Sequence, residues 1–434
     1  MITFSASIRY NFMQMNSYRG RKIYKNTKVR IMEDELSCAL PNTCNSRPSV
    51  ATDAKQLTAR LRLFASEQGI DLFEITDIKP IHVKNRSVSD SPKPYRCGQN
   101  VNTEVAPDVF DPCCVLPDAA AVIIMAFYTY GLEKPVESTP DCPRGKIGPW
   151  TRVYPYTKQM SDVIVDYLTE YGYRAVHTND LPYRALALKA GLGQLGRNQF
   201  IFANGFGSYL RFNCVVTDAP LETVAYQYDF FKDVCGNCHR CVDSCPVSAI
   251  DMDGTFHYDI CLHELLQGRG KAENGLPKEY WGKTMSYLMR TGYCIEVCPR
   301  NKHLKPRTKL PKFLRVYPDI DKPDSPPLLP LVMASDEEIR AMLPRGVYQY
   351  GEGHVRQNAI LALGQQRSTA AIPVLKDCLF RAKQENAQMA AWALGRIGTQ
   401  EARLALTLAL DVRKEILVRK EIVESLHKID GLNE

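Results

Sequence analysis

Between Val234 and Ile250 the chain reads VCGNCHRCVDSCPVSAI, four cysteines spaced C-x2-C-x2-C-x3-C with a proline after the last. Two-residue gaps let one tight turn converge Cys235, Cys238 and Cys241 on a face of an iron–sulfur cubane, while Cys245, ahead of Pro246, serves a second cluster. Zinc sites also use C-x2-C pairs. Three cysteines in a row closed by C-P, with a second C-P downstream, is the spacing of a two-cluster iron–sulfur module. The downstream stretch, TGYCIEVCPRNK, supplies only Cys294 and Cys298, and Thr291 stands where a further cysteine is expected. By the crossing pattern Cys298 completes the first cluster. The second takes Cys245 and Cys294, with Cys261 of YDICLHEL as the natural third ligand. Threonine is a poor iron ligand, so four outcomes stay open for the second site. It is a normal four-iron centre, a three-iron centre, one that recruits His263 or another cysteine, or no centre at all.

Seven of the fifteen cysteines fall between Cys235 and Cys298. Secreted disulfide frameworks are usually short chains behind a signal peptide, which this 434-residue chain does not resemble. The cysteines therefore read as thiolates committed to iron in a reducing, cytoplasmic compartment. The longest apolar run, AAAVIIMAF at Ala119–Phe127, is far too short to span a bilayer and reads as a buried strand; no membrane association is expected. The first 32 residues contain no acid and several Arg, Lys and Ser, a weak transit-peptide character. Met32 is an equally good start, and residues 1–54 are read as a disordered leader.

Alternating helix and strand patterns begin near Gln56. LTARLRLFASEQGIDLFEIT predicts an amphipathic helix, a stop at Gly69 and a strand, and YTKQMSDVIVDYLTEYGYRAVHT repeats that unit. A third helix, LPYRALAL, runs into a glycine-rich loop. These predict an α/β or α+β domain over 55–228, ahead of the cysteine module at 229–301. Residues 302–332 form a proline-rich linker, and Arg300–Arg315 carries seven Lys or Arg and no acid. From 333 to 434 RQNAILALG returns 31 residues later as AQMAAWALG, then again as RKEIVESLH. Helix pairs at that period predict a small α-solenoid of HEAT type, with an ordinary helical bundle as the alternative.

A cluster pair fused to a larger domain delivers electrons to an acceptor there. GLGQLG (Gly191–Gly196) follows a helix rather than a strand, so it is a weak dinucleotide signature. Taken with RALALKAGLGQLGRNQ (Arg184–Gln199), FGSYLRFNCVVTDAPL, the Cys235–Pro246 run, YDICLHEL, EVCPRN and the terminal repeats, the chain resembles the epoxyqueuosine reductase family. These are corrinoid-dependent iron–sulfur enzymes of tRNA queuosine synthesis, within a superfamily that includes reductive dehalogenases. The resemblance covers most of the chain from about residue 56. It implies an α+β fold with an N-terminal cobalamin-binding, sandwich-like α/β domain, a ferredoxin-like domain with two 4Fe-4S clusters, and a HEAT-like tail that helps grip tRNA. Electrons from a donor such as flavodoxin or ferredoxin would pass through the clusters to cobalamin, and the epoxide of the modified base would be removed with loss of water.

On that resemblance Tyr183, Arg184, Gly193, Asn198 and Ser208 are the candidate cofactor-binding residues. The family's catalytic acid is an Asp seven residues before the Arg of RALA; here that position is His177. His177, competent as a proton donor near neutral pH, and Asp180, one turn away, are the candidate catalytic residues. Asp180 also reads as a plain helix cap. Tyr183 beside Arg184 is a further proton-donor candidate of dehalogenase type. The basic linker, extended by Arg413, Lys414, Arg419 and Lys420, is the expected tRNA contact. His177 and Thr291 keep two alternatives open: a corrinoid reductase of a small molecule, and an electron-transfer partner for another corrinoid protein.

Overall fold

A computed structural model describes residues 53–431, apart from 83–86, 89–108, 133–135, 150, 225, 227–232, 274 and 316–321. The leader expected at 1–54 and the alternative start at Met32 lie almost wholly outside the described residues.

The first domain is built on a four-stranded antiparallel sheet. Its strands are β1 (Leu72–Thr76), β2 (Ala121–Tyr128), β3 (Ala175–Thr178) and β4 (Leu210–Thr217), in the order β1-β2-β4-β3. All eight residues of β2 are buried, because helices and loops cover both sheet faces, and this is why AVIIMAFY reads as an unbroken apolar run. Ile123, Met125, Phe127 and Val215 face α1 (Ala54–Gln68) and α2 (Lys158–Glu170). Val122, Ile124, Ala126, Cys214 and Val216 face α3 (Tyr183–Lys189). Asp53 caps α1 by accepting from Lys55 N, and Gly69 ends it at φ 87°, a left-handed conformation that favours glycine.

The cysteine module contributes the short helices α4 (Arg240–Asp243), α5 (Leu262–Leu265) and α6 (Tyr293–Glu296). Beyond it, α7 (Asp336–Met342) and α8 (Arg345–Tyr348) lead into five longer helices. These are α9 (Glu352–Gln365), α10 (Ile372–Arg381), α11 (Gln384–Ile397), α12 (Gln400–Val412) and α13 (Ile416–Asp430). The repeated ALG ending has a packing cause. A Cβ on Gly364 would lie 2.7 Å from Ala393 Cα, and one on Gly395 would lie 2.5 Å from Ser425 Cβ, so α9, α11 and α13 stack only because these positions lack side chains.

One hydrophobic core runs from the cysteine module into these repeats. Buried Asn358 of α9 fastens them, its Nδ2 donating to Leu266 O (3.2 Å) and Leu288 O (2.8 Å). The basic linker is not a free solvated strand. Phe313 and Leu314 are buried against the first domain, Arg307 N donates to Tyr130 O at 2.7 Å, and the Arg307 guanidinium pairs with Asp71.

Candidate functional site

The cysteine module contains one turn twice, His239–Cys245 and Gly292–Cys298. Adding 53 to a position in the first half lands on its counterpart in the second. The residue before α4, His239, has φ −126° and ψ 15°; the residue before α6, Gly292, has φ −125° and ψ 6°. Ser244 and Val297 after the helices match equally, at −80°, −11° and −79°, −8°. Cys245 N donates to Val242 O at 3.1 Å and Cys298 N to Ile295 O at 3.2 Å; Ser248 N bonds Cys245 O and Asn301 N bonds Cys298 O in the same way.

This duplicated turn sorts the cysteines into two sets. Cys235, Cys238, Cys241 and Cys298 border one small hollow together with Arg197, Phe202 and Pro299. Arg197 N lies 3.4 Å from Cys235 Sγ, and its guanidinium donates to Cys238 O at 2.6 Å. Such N–H contacts to sulfur are how proteins tune iron–sulfur potentials. Cys245, Cys261 and Cys294 instead line a second, larger cavity of about 450 Å³, where Ala249 N donates to Cys245 Sγ at 3.2 Å. Burial pushes the Cys241 thiol up to about 11 and the Cys261 thiol up to about 12, and holds Cys294 well above the usual thiol range. A neutral thiol is what burial favours until a bound cation offsets the desolvation of a thiolate. Among the described residues no three His, Cys, Asp or Glu converge as a single ion requires. A four-iron cluster spreads its ligands over a wider cradle than one ion does.

The large cavity lies between the sheet domain, the cysteine module and the segment before α9. Its apolar lining includes Phe110, Leu181, Leu195, Phe200 and Ile201. Its polar lining centres on a cage of cations and phenols absent from the sequence-based candidates. The Arg290 guanidinium sits 3.8 Å from the Tyr154 ring centre, with Arg211 at 4.5 Å from the same ring. Arg269 stacks at 4.5 Å on Tyr350, and Arg290 donates to Tyr350 Oη at 3.3 Å and to Gln267 Oε1 at 3.2 Å. Burial would raise Tyr154, but Arg211 and Arg290 outweigh it and draw the phenol below its ordinary range. Arg290 is 2 % exposed and holds a φ of 53°, uncommon for a residue with a side chain. Arg290 Nη1, Arg211 Nε and Tyr293 Oη are buried with no protein partner, and all three residues line this cavity.

The expected site residues divide sharply. Tyr183, Arg184, Asn198 and Ser208 line the cavity. Tyr183 Oη donates to Asn179 Oδ1, Asn198 Nδ2 to Cys294 O at 2.7 Å, and Ser208 exchanges bonds with Asn301. Burial raises the Tyr183 phenol, the wrong direction for a proton donor. Gly193 does not line it: a Cβ there would meet Phe202 O at 2.4 Å, so its role is close packing. His177 is corrected too. It pairs with Val215, on the sheet face covered by α2, where burial first and Lys158 second lower its pKa and its Nδ1 has no partner. Period-two alternation puts its neighbour Thr178 on the α3 side and the imidazole on the other. Asp180 is exposed and outside the lining, while Asn179 beside it faces in. Of the expected tRNA contacts, Arg413 is buried, donating to Phe380 O, Ala382 O and Glu415, and Arg419 donates to Leu410 O and Arg413 O. Lys414 and Lys420 are exposed.

Comparison with known proteins places this geometry in context. A family model described as a 4Fe-4S double cluster binding domain matches residues 234–301, and one described as HEAT repeats matches 349–427. The chain thus carries a double-cluster domain and a helical-repeat region. It is similar to the epoxyqueuosine reductase of Bacillus subtilis (strain 168), at 27% identity over 86% of this chain and 95% of that one. It is also similar to the epoxyqueuosine reductase of Staphylococcus aureus (strain NCTC 8325 / PS 47), at 31% identity over 58% of this chain and 63% of that one. A crystal structure of epoxyqueuosine reductase with a tRNA-Tyr epoxyqueuosine-modified stem loop shares the fold, with a TM-score of 0.69 and 24% identity over 86% of this chain and 99% of that one. The Streptococcus thermophilus enzyme does so with a TM-score of 0.66 and 22% identity over 87% of this chain and 100% of that one. No helix among the described residues is long and apolar enough to cross a membrane.

Proposed function

The chain belongs to the epoxyqueuosine reductase family, and from that premise we propose that it is an iron–sulfur and cobalamin-dependent oxidoreductase converting epoxyqueuosine to queuosine in tRNA. The carrying observation is the pair of cysteine sets, one in a small hollow and one opening onto a 450 Å³ cavity that also holds the cation–phenol cage. Electrons entering from a small reductant such as flavodoxin or ferredoxin would cross from the first set to the second and so reach the cavity. Deoxygenation of an epoxide consumes two electrons and two protons and yields an alkene and water.

The cavity residues suit a corrinoid. Phe110, Leu195 and Phe200 offer apolar surface to a macrocycle, and Arg184, Asn198, Gln199 and Ser208 offer polar groups to its amide rim. The unpartnered donors Arg211 Nε and Arg290 Nη1 match ligand acceptors. Bound there, cobalamin would supply the strongly reducing, nucleophilic metal centre that the protein itself lacks. This chain's own contribution is orientation and a proton. Tyr154 is the proton donor we assign, since its phenol lines the cavity between two guanidiniums that stabilise the phenolate left behind. It replaces His177 and Asp180 in that role.

Transfer RNA would approach over the exposed Lys302, Lys305, Lys309 and Lys312 of the linker and Lys414 and Lys420 of the repeats. The division into a reductase domain at 55–228, a cluster domain at 229–301, a linker at 302–332 and repeats at 333–434 is part of this proposal. The Arg290–Arg211 cage also favours a second reading, a corrinoid reductase of a small anionic substrate. Anaerobic reconstitution with cobalamin followed by turnover of epoxyqueuosine-containing tRNA tests the first reading. Stoichiometric cobalt without turnover of that tRNA would reject it in favour of the second.

A further inference from the structure

We propose that the second cluster is held by only three protein thiolates, Cys245, Cys261 and Cys294, and presents one iron to the large cavity at Thr291 for an exogenous oxygen-donor or anionic ligand. The inference rests on the double-cluster reading and is independent of the substrate.

The duplicated backbone carries it. A 53-residue step maps Cys241 onto Cys294, Cys245 onto Cys298 and Cys238 onto Thr291. The residue after each of the last pair, His239 or Gly292, has φ and ψ equal to within 9°. Hydrogen bonds correspond through both turns: Val242 N to His239 O and Ile295 N to Gly292 O are each 2.9 Å, and Ser244 N to Arg240 O and Val297 N to Tyr293 O are each 3.0 Å. The second turn therefore keeps the backbone that follows the ligand position, from Gly292 to Cys298, whereas the Cys238 N to Cys235 O bond that leads into it (3.1 Å) gives way to the strand Tyr287–Met289. Thr291 offers a neutral hydroxyl, which competes poorly for ferrous or ferric iron against a thiolate.

No other described cysteine replaces the thiolate. Of the other described cysteines, Cys113, Cys114, Cys142, Cys214 and Cys378, none lines the cavity. His263 does line it, and its Nδ1 faces Thr291 O at 3.4 Å, so only Nε2 could compete with an exogenous ligand for the open iron, and the His263→Ala variant below separates the two. Thr291 itself lines the cavity next to Arg290, whose Nη1 has no protein acceptor. An anion on the open iron would have that guanidinium beside it, which favours an anionic or oxygen ligand at the vacant corner.

The test uses the full chain, anaerobically reconstituted with iron and sulfide, and reads the clusters rather than turnover. Mössbauer spectra of the wild type should show about one-eighth of the iron in a subsite distinct from thiolate-ligated iron, as one open corner in two four-iron clusters requires. Mild oxidation should release that iron and produce a three-iron EPR signal, and cyanide should shift the EPR spectrum of one reduced cluster. Thr291→Cys should abolish all three effects, because it restores a thiolate at the position that corresponds to Cys238, whereas His263→Ala should preserve them. Uniform thiolate ligation in the wild type would overturn the proposal, as would iron for a single cluster only. Loss of the distinct subsite in His263→Ala would also overturn it, by identifying the histidine as the fourth ligand. Should Thr291→Cys fail to fold, the wild-type spectra and the His263 variant still decide the matter.

Discussion

Replacing Tyr154 by Phe removes one oxygen from the cavity and leaves the aromatic ring on which two guanidiniums rest, Arg290 at 3.8 Å and Arg211 at 4.5 Å. The cation–π packing therefore survives, and the stability cost is at most that of one neutral hydrogen bond, about 1 kcal/mol. Loss of a general acid is worth about 10²- to 10⁴-fold in rate, so Tyr154→Phe should lower kcat by that factor with KM nearly constant. A proton donor works while protonated, so wild-type activity should fall as pH rises through the Tyr154 pKa. Burial raises that pKa, yet Arg211 and Arg290 outweigh burial and place the fall below the ordinary tyrosine range. Arg211→Gln removes part of the cationic field, so it should move the alkaline limb to higher pH rather than merely scale the rate. The assay is single-turnover reduction of epoxyqueuosine-containing tRNA across pH by chemically reduced, cobalamin-loaded protein. A Tyr154→Phe variant within threefold of wild type, or an Arg211→Gln limb that does not move, would refute the assignment.

Three further outcomes follow from the packing and the charges. Asn358→Ala leaves the carbonyls of Leu266 and Leu288 without their buried donor, at about 1–3 kcal/mol for each; the thermal midpoint should drop and iron should be lost at lower temperature. Gly395→Ala forces a Cβ to within 2.5 Å of Ser425 Cβ, so chemical denaturation should show a loss of about 1–3 kcal/mol. Lys414→Gln and Lys420→Gln should each reduce the salt dependence of tRNA binding by about one unit of slope, whereas Arg413→Ala should lower stability, since its guanidinium holds the carbonyls of Phe380 and Ala382 inside the protein.

Features written in local spacing were legible before any fold was known. The cysteine turn, the helix–glycine–strand units and the 31-residue return of ALG each depend on residues close in the chain, where covalent geometry limits the outcomes. Gly69 as a helix stop and β2 as a doubly covered strand belong to the same class. The direction of a strand residue is a different matter. His177 stands where the family has its acid, yet a shift of one position changes the face of the sheet, and only the pairing with Val215 shows which face it took.

The reactive cage lies wholly beyond local reading. Tyr154, Arg211, Arg290 and Tyr350 are separated by more than fifty residues at each step, and each alone is an ordinary surface or packing residue. Their guanidiniums and rings become a site because the sheet domain, the cysteine module and the chain before α9 close around one cavity. The sequence by itself determined the cysteine spacing of a double-cluster module and the threonine at 291 where that spacing expects a cysteine, because spacing is a property of the local chain. Only the tertiary structure decided that the backbone after Thr291 repeats that after Cys238 and that Thr291 lines the cavity, because both depend on how two copies of one turn are packed together.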